Sequence, residues 1–561
     1  MTAIGYFTAE IGLWSELHTY SGGLGVLAGD HVKSAADAGI PLVGVTLLYH
    51  QGYARQHIDD AGIQTETFPE VDMNRLLTKT DIVLELELDG KPLFAYVWMA
   101  EILGQSGHMV PVYFMDTRHP ENAIQHQDLS SRLYGGDDGV RIRQEYVLGV
   151  GGVQLFDHLE VELNGLHLNE GHCTFAMLEL LNRGWNREQL AQRSLFTTHT
   201  PVPAGHDRFD WSLVEEVIGD LLPTDAKELV RSAGDPEDGT RCSMSHLAVS
   251  LSTTVNAVSK LNADVAMTMF DQNIQPITNG VHHITWTAPA MASFFDEHLN
   301  GWKMSPSELE HASSTPTTNL LQARAQARQE LRDYVRSTTG VELDSNRMTI
   351  GFARRFATYK RANLVFRDLK RLQAIGAGKI QFVFSGKAHP RDQGGKQLIR
   401  DIFASAEQIE DDIPVAFIEN YDMKTGLMMT SGVDIWLNNP IRPMEASGTS
   451  GMKAAMNGVP NCSILDGWWP EACVHGVNGW AIGEGEDDRH DERDANNIYN
   501  VLEHEVIPLW ENDRDGWAEM MKASIIASAG FTGQRMIQDL SLIHISEPTR
   551  RYAISYAVFC L

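Results

Sequence analysis

The sequence is poor in cysteine and in positive charge, and it contains no long apolar run. Its 561 residues include five cysteines, Cys173, Cys242, Cys462, Cys473 and Cys560, scattered, odd in number and never in CxxC spacing. That pattern excludes a disulfide framework and a thiolate zinc site and points to reduced, cytoplasmic thiols. Lys and Arg number 45 against 74 Asp and Glu, a formal net charge of −29. The composition therefore offers no basic excess for a nucleic-acid backbone, and an anionic substrate must meet a local cluster of cations inside an acidic whole. No stretch approaches the roughly 18 apolar residues of a membrane span. The start, MTAIGYFTAEIG, lacks the basic and apolar regions of a signal peptide. The expectation is a cytoplasmic protein that engages neither membrane nor nucleic acid.

What is present is the makeup of a large globular enzyme: 43% apolar and 21% charged residues, over a length that calls for two domains. Both halves alternate strand and helix. GYFTAEIG reads as a strand, TYSGGLGVLAGD as a loop, His31 to Gly39 as a helix and PLVGVTLLY as the next strand. Gly22, Gly23 and Gly25 then fall where open parallel sheets bind ligands, at a strand's carboxyl end, although the spacing is not the GxGxxG of dinucleotide sites. RIRQEYVLGVGGVQLF has the apolar spacing of a buried helix. LHLNEGH delivers Asn169, Glu170 and His172 at a strand end, and FTTHTPVPAGHD delivers His199. His167 and His172 lack HExxH spacing, so no metal is expected.

After an amphipathic connector, QARAQARQELRDYVR, the second half restarts with MTIGFARRFATYKRANLVF, read as a strand, a basic turn and a helix. Arg354, Arg355, Lys360 and Arg361 crowd together in a very acidic chain, which predicts a phosphate at a helix start. In Glu445 to Gly458, EASGTSGMKAAMNG, a Gly- and Ser-rich turn opens a helix with Lys453 in its early turns. Exposed N–H groups there suit an anion, and the glycines allow close approach. The lysine can neutralise a phosphate or carry an aldehyde cofactor as a Schiff base.

EASGTSGMK resembles the pyridoxal phosphate segment of the α-glucan (glycogen, starch, maltodextrin) phosphorylases, EASGTGNMK, with Ser450 and Gly451 in place of Gly-Asn. SGGLG resembles the family's glycine loop, ITNGVHHITW its NGIT…W segment, and ARRFATYKR its KRxxEYKR segment. The resemblance covers nearly all of residues 3–539 and is closest to the short prokaryotic forms. It implies an α/β fold of two facing Rossmann-like domains, the GT-B type, with the active site in the cleft between them. Residues 1–286 would hold the glycine loop and glucose site, residues 287–539 the cofactor and phosphate site, and the last helix would pack back on the first domain.

The implied reaction is reversible, retaining phosphorolysis of α-1,4-glucan by inorganic phosphate to α-glucose 1-phosphate. The cofactor's 5′-phosphate, and not its ring, supplies the acid chemistry. By the same resemblance Lys453 carries pyridoxal 5′-phosphate, surrounded by Gly23, Trp286, Asn420, Tyr421, Gly448 and Thr449. Arg355 and Lys360 hold the substrate phosphate with the glycine loop, Gly22 and Gly23. His199, Asn279, Glu170, His172, Glu445, Ala446, Ser447 and Gly448 face the sugar. Thr358 replaces the family's acidic residue, and Asp422 stands where the family usually has Arg. Family members are commonly homodimers.

Two other readings share features of the sequence. A nucleotide-sugar glucosyltransferase of glycogen- or starch-synthase type has the same fold and glycine loop but no need of Lys453. A glucan-binding protein without activity could use some of the twelve tryptophans, but has no use for Arg355, Lys360 and Lys453. A retaining glycosidase needs two carboxylates about 5 Å apart, and no such pair is recognisable. The last stretch, Leu540 to Leu561, turns abruptly apolar and aromatic. LSLIHISEPTR and ISYAVFCL back-translate, in one frame and with an index-sized gap, into segments of a transposase adapter used to prepare sequencing libraries. Residues 540–561 are therefore expected to be foreign, with the natural sequence lost after about Asp539. Resequencing the gene across that junction should show adapter DNA; a natural read-through would overturn the expectation.

Overall fold

The computed structural model describes residues 2–545 apart from 203–204, 219–226, 229, 232–233 and 237, with side chains described as far as Ser541. Of the tail read as foreign, residues 546–561 lie outside the described residues. The chain forms two compact units: Met1–Tyr53 with Glu70–Thr278 and the residues from Gly533 on, and Ala54–Pro69 with Asn279–Thr532. No described helix is long and apolar enough to cross a membrane.

The first unit is built on nine strands: β1 (Thr2–Thr8), β2 (Leu42–Leu47), β3 (Thr78–Leu88), β4 (Lys91–Leu103), β5 (Met109–Asp116), β6 (Glu162–Asn169), β7 (Ser194–Thr198), β8 (Thr254–Ala257) and β9 (Gln275–Pro276). Their order is β9-β8-β7-β6-β1-β2-β5-β4-β3. All neighbours are parallel except β5·β4 and β4·β3. β2, LVGVTL, is buried along its whole length, as an apolar run covered on both faces should be. The edge strand β3 alternates, burying Leu84, Leu86 and Leu88 and exposing Lys79, Glu85 and Glu87, charges that discourage edge-to-edge pairing.

The first helix, α1, runs from Gly23 to Asp37, two turns earlier than the expected start at His31. Glycine's poor helix propensity hides those turns, and tertiary contact explains them. A Cβ on Gly29 would lie 1.9 Å from the Gly12 carbonyl oxygen, and one on Gly25 would meet Tyr20 and Glu10. The helix thus lies directly on the 12-loop backbone, where Gly12 N–H donates to Gly25 O at 2.7 Å. The helix Gly533–Ile545 belongs to this unit too, burying Met536 and Leu540 against Leu27, Leu195 and Ile277.

The second unit carries six parallel strands: β10 (Met348–Ala353), β11 (Ile380–Ser385), β12 (Val415–Ile418), β13 (Ile435–Asn438), β14 (Asn461–Ile464) and β15 (Gly479–Ile482), in the order β12-β11-β10-β13-β14-β15. This is the doubly wound 3-2-1-4-5-6 order. The connector becomes α2 (Thr317–Thr339), which buries Leu320, Ala323, Ala327, Leu331 and Val335, the stripe its spacing predicts. A hairpin from early in the chain, Arg55–Ile58 with Gln64–Thr67, is built into this unit. Gln56 Nε2 donates to Gly386 O at 2.8 Å and Gln64 Nε2 to Ala388 O at 3.0 Å, covering the end of β11.

Gly29→Ala is expected to destabilise the first unit by about 2 kcal/mol or more through overpacking against backbone that cannot yield. Gly23→Ala, where nothing lies within 4 Å of the added methyl, should leave the urea midpoint nearly unchanged.

Candidate active site

In the second unit the chain winds outward from β10 in one direction and then, from β13, in the other. Such a switch point leaves a crevice at the carboxyl ends of the two strands. The β10·β13 ladder consists of Ile350–Ile435 and Gly351–Trp436. Beyond it Arg354, the first residue after β10, donates to Asn438 Oδ1 at the end of β13. Arg354 Nη2 and Lys360 Nζ both reach Glu445 Oε2 at 2.5 Å. Burial pushes the Glu445 carboxyl up, but the two cations more than offset this and hold it below the usual carboxylate range. Behind it Asp466 accepts the Glu445 and Gly467 N–H groups at 2.9 and 2.8 Å. Burial, and then the charge of Glu445, push the Asp466 acid up to about 7.

Helix α3 (Met423–Gly432) packs on β10, and helix α4 (Thr449–Met456) packs on β13 and on α3. α4 follows Gly448, whose φ of +80° favours glycine, and no side chain caps its first N–H groups. Lys453, in the middle of α4, is buried with its Nζ 3.5 Å from the centroid of the buried Trp286 ring, a cation–π distance. A Cβ on Gly426 of α3 would stand 2.9 Å from Tyr421 Oη and, at an ordinary contact distance, 3.6 Å from the Trp286 ring, so a glycine there lets Tyr421 approach. Burial raises the Tyr421 phenol. Asn420, at φ +56°, exchanges hydrogen bonds with Gln56: its N–H donates to Gln56 Oε1 at 2.8 Å and its Oδ1 accepts the Gln56 N–H at 3.2 Å. Ala446, Ser447 and Thr449 line the turn into α4, and Asn279 is buried in the run that leads to Trp286.

The first unit has its own switch point, between β1 and β6. Buried Glu10, just past β1, accepts the Ser21 N–H at 2.5 Å and the Tyr134 hydroxyl at 2.9 Å. It thereby holds the loop in front of Gly22 and Gly23, where α1 starts without a side-chain cap. Glu170, at φ +73°, accepts the His199 N–H at 2.5 Å and the Thr200 hydroxyl at 3.0 Å. Burial opposes its charge, but His206, His199 and His172 hold its carboxyl below the ordinary range. His199 Nε2 lies 2.6 Å from Asn169 Oδ1, and the Asn169 amide donates to Thr8 Oγ1 at 3.0 Å. With Asn169 Oδ1 accepting, Nε2 carries the proton and Nδ1 remains an acceptor. Burial lowers the His199 pKa to about 4, so the ring is neutral at pH 7 and suited to a hydroxyl donor. His172 Nε2 pairs with Asp207 Oδ2 at 2.9 Å, as does Arg141 Nη2 at 2.9 Å.

Several expectations need correction. After β10 the basic segment forms a three-residue 3₁₀ turn, Thr358–Lys360, where a helix start was expected. Arg361 is structural, its guanidinium held by Asp491 and Asp494 and by the Asn439 and Pro440 carbonyls. Arg355 is exposed, and Arg354 is the arginine that turns inward beside Lys360. The Glu170 carboxylate serves its own loop, as described. Asp422, where the family usually has Arg, caps α3 by accepting the Thr425 N–H at 2.7 Å. Gly451 packs where a Cβ would lie 2.4 Å from Asn461 Oδ1, so any larger residue at 451 requires Asn461 to move; here Asn461 donates to Gly451 O at 3.0 Å.

Residues 207–472 match the carbohydrate phosphorylase family. The chain is 37% identical over 585 aligned positions to a maltodextrin phosphorylase of Thermococcus litoralis, an alignment that covers 95% of this chain and 69% of that protein. The chain belongs to the carbohydrate phosphorylase family. It is also 36% identical to glycogen phosphorylases of Mycobacterium tuberculosis, over 96% of this chain and 70% of that protein, and of Aquifex aeolicus, over 95% and 84%.

The His199 pKa lies near 4 in the fold against 6.5 for a free imidazole. As pH falls through that interval the unfolded chain takes up the proton first, so stability present above pH 6.5 is lost toward pH 4. Allowing for the ring's partly open edge, the loss is no more than about 2 kcal/mol. Replacing His199 by Asn should flatten the fall in urea midpoint between pH 6.5 and 4.

Proposed function

We propose that this chain is an α-glucan phosphorylase, a hexosyltransferase of the cytoplasm. It moves a glucosyl unit between the non-reducing end of an α-1,4-glucan and inorganic phosphate, reversibly and with retention, giving α-glucose 1-phosphate. The observation that carries this reading is the buried amine of Lys453 against Trp286, in a crevice that also holds the inward-facing cations Arg354 and Lys360. The names of the relatives, maltodextrin and glycogen phosphorylase, point to the same class of substrate.

The residues fit pyridoxal phosphate. Lys453 offers a buried amine, Trp286 and Tyr421 an aromatic wall, and Gly448 and Thr449 an uncapped helix start for an anion. Among the described residues, Arg354 Nε and Ser447 Oγ are buried polar atoms without a hydrogen-bond partner, as a donor set awaiting an oxyanion would be. When bound, the cofactor supplies a phosphate group with a second pKa near 6, suited to exchanging a proton at neutral pH.

The protein's own part is positioning and charge. Lys360, Arg354 and Arg355 offset the repulsion between two phosphates brought together. Gly22 and Gly23 add neutral N–H donors. His199 Nδ1 accepts a hydrogen bond from a sugar hydroxyl, and Asn279, Glu445, Ala446, Ser447 and Gly448 orient the ring while positive charge develops at its anomeric carbon. His172, fixed by Asp207, borders the sugar. The reading has the two units as Rossmann-like domains of the GT-B type, in a homodimer.

Borohydride reduction of protein supplied with pyridoxal phosphate, followed by peptide mapping, should place a pyridoxyl group on Lys453. Maltodextrin with phosphate should then yield glucose 1-phosphate. Lys453→Ala should abolish both, and Lys360→Ala should lower kcat by about 10²-fold or more. A folded chain that takes no cofactor and transfers glucose from a nucleotide sugar would instead establish the synthase-like alternative.

A further inference from the structure

Asn457 follows α4 one turn after Lys453 and is completely buried. Its carboxamide is fully used on backbone groups. Nδ2 donates to the Trp286 carbonyl at 2.6 Å and to the Lys453 carbonyl at 2.8 Å, and Oδ1 accepts the Ala288 N–H at 2.9 Å. One side chain therefore ties the end of α4 to both sides of Thr287. It grips the carbonyls of the two residues whose side chains meet in the site, the Lys453 amine and the Trp286 ring.

The geometry points to Asn457 as a positioning residue for the site lysine, the group that sets the register of Lys453 Nζ against the Trp286 face. The neighbouring contacts agree. Gly426 lets Tyr421 close in, since a Cβ there would stand 2.9 Å from the Tyr421 hydroxyl, and it lies in ordinary van der Waals range of the Trp286 ring. A shift of the 286–288 segment along α4 would slide the ring off the amine without breaking the fold. The Asn457 carboxamide spans that joint with three hydrogen bonds, and neither aspartate, which lacks the two donors, nor alanine, which lacks donors and acceptor alike, can make them. This inference rests on Lys453 being the residue that carries the cofactor.

The test compares wild type, Asn457→Ala and the near-isosteric Asn457→Asp, with Val459→Ala as a control that loosens the same buried corner without touching the bridge. Each is titrated with pyridoxal phosphate by absorbance, then reduced with borohydride and mapped. Thermal unfolding is measured alongside. Both Asn457 variants should bind the cofactor about tenfold more weakly, with a displaced absorbance maximum and a smaller share of the adduct on Lys453 relative to other lysines. Val459→Ala should lose comparable thermal stability and keep wild-type affinity and spectrum. If the Asn457 variants lose only stability and match the control in affinity, spectrum and adduct position, Asn457 is merely structural and the inference falls. Should Asn457→Ala fail to fold, Asn457→Asp decides by the same readouts. If wild-type protein itself forms no adduct at Lys453, the reading of Lys453 falls, and this inference with it.

Discussion

The second unit depends on one carboxylate, Glu445, shared at 2.5 Å by Arg354 and Lys360. Three charges lie in or beside the protein interior at the point where β10 and β13 part. Taking such groups out of water costs several kcal/mol each unless they are paired and hydrogen-bonded. The cost is offset by geometry that the strands dictate. Arg354 leaves β10 directly into the gap, Asn438 at the end of β13 takes part of its guanidinium, and Asp466 holds the Glu445 backbone from behind. The arrangement concentrates positive charge in one place within a chain of net charge −29. It does so where an open sheet exposes its strand ends.

The first unit uses carboxylates differently. Glu10 and Glu170 are buried, and each spends its oxygens on backbone N–H groups and hydroxyls of a neighbouring loop. They are structural pins: one fixes the loop before α1, the other fixes the backbone at His199. The consequence is chemical. With Glu170 engaged at the His199 N–H, the imidazole itself pairs with the neutral Asn169 and stays uncharged. In the proposed reaction a neutral ring can accept a hydrogen bond from a sugar hydroxyl without setting a positive charge next to an anomeric carbon that itself becomes positive.

Much of this was legible in the sequence where the signal is local. The strands, the amphipathic connector and the turn before Lys453 follow from periodicity and turn chemistry within windows of a dozen residues. The start of α1 was not legible, because Gly23, Gly25 and Gly29 look like loop residues until the Gly12 backbone they lie against is known. The division of labour among the four clustered cations was also hidden. Arg354 and Arg355 are adjacent and chemically alike, and only the pleat of β10 decides which one turns inward. The carboxylate partners of Arg361 lie 130 and 133 residues away, and the Gly386 and Asn420 partners of Gln56 more than 300, beyond any pattern in the chain.

The departures from the family's motifs are instructive for the same reason. Asp422 and Gly451 change residue type at positions next to the site, yet each meets a backbone requirement there: a cap for α3, and a close approach to Asn461. Ser450, the remaining swap in the lysine segment, accepts the Trp436 indole N–H at 3.2 Å and so ties α4 to β13. These substitutions alter how the backbone is held and leave Lys453 in register. A motif is thus better understood as a set of backbone positions to be satisfied, some by one residue type only, others by any side chain that closes the same hydrogen bond.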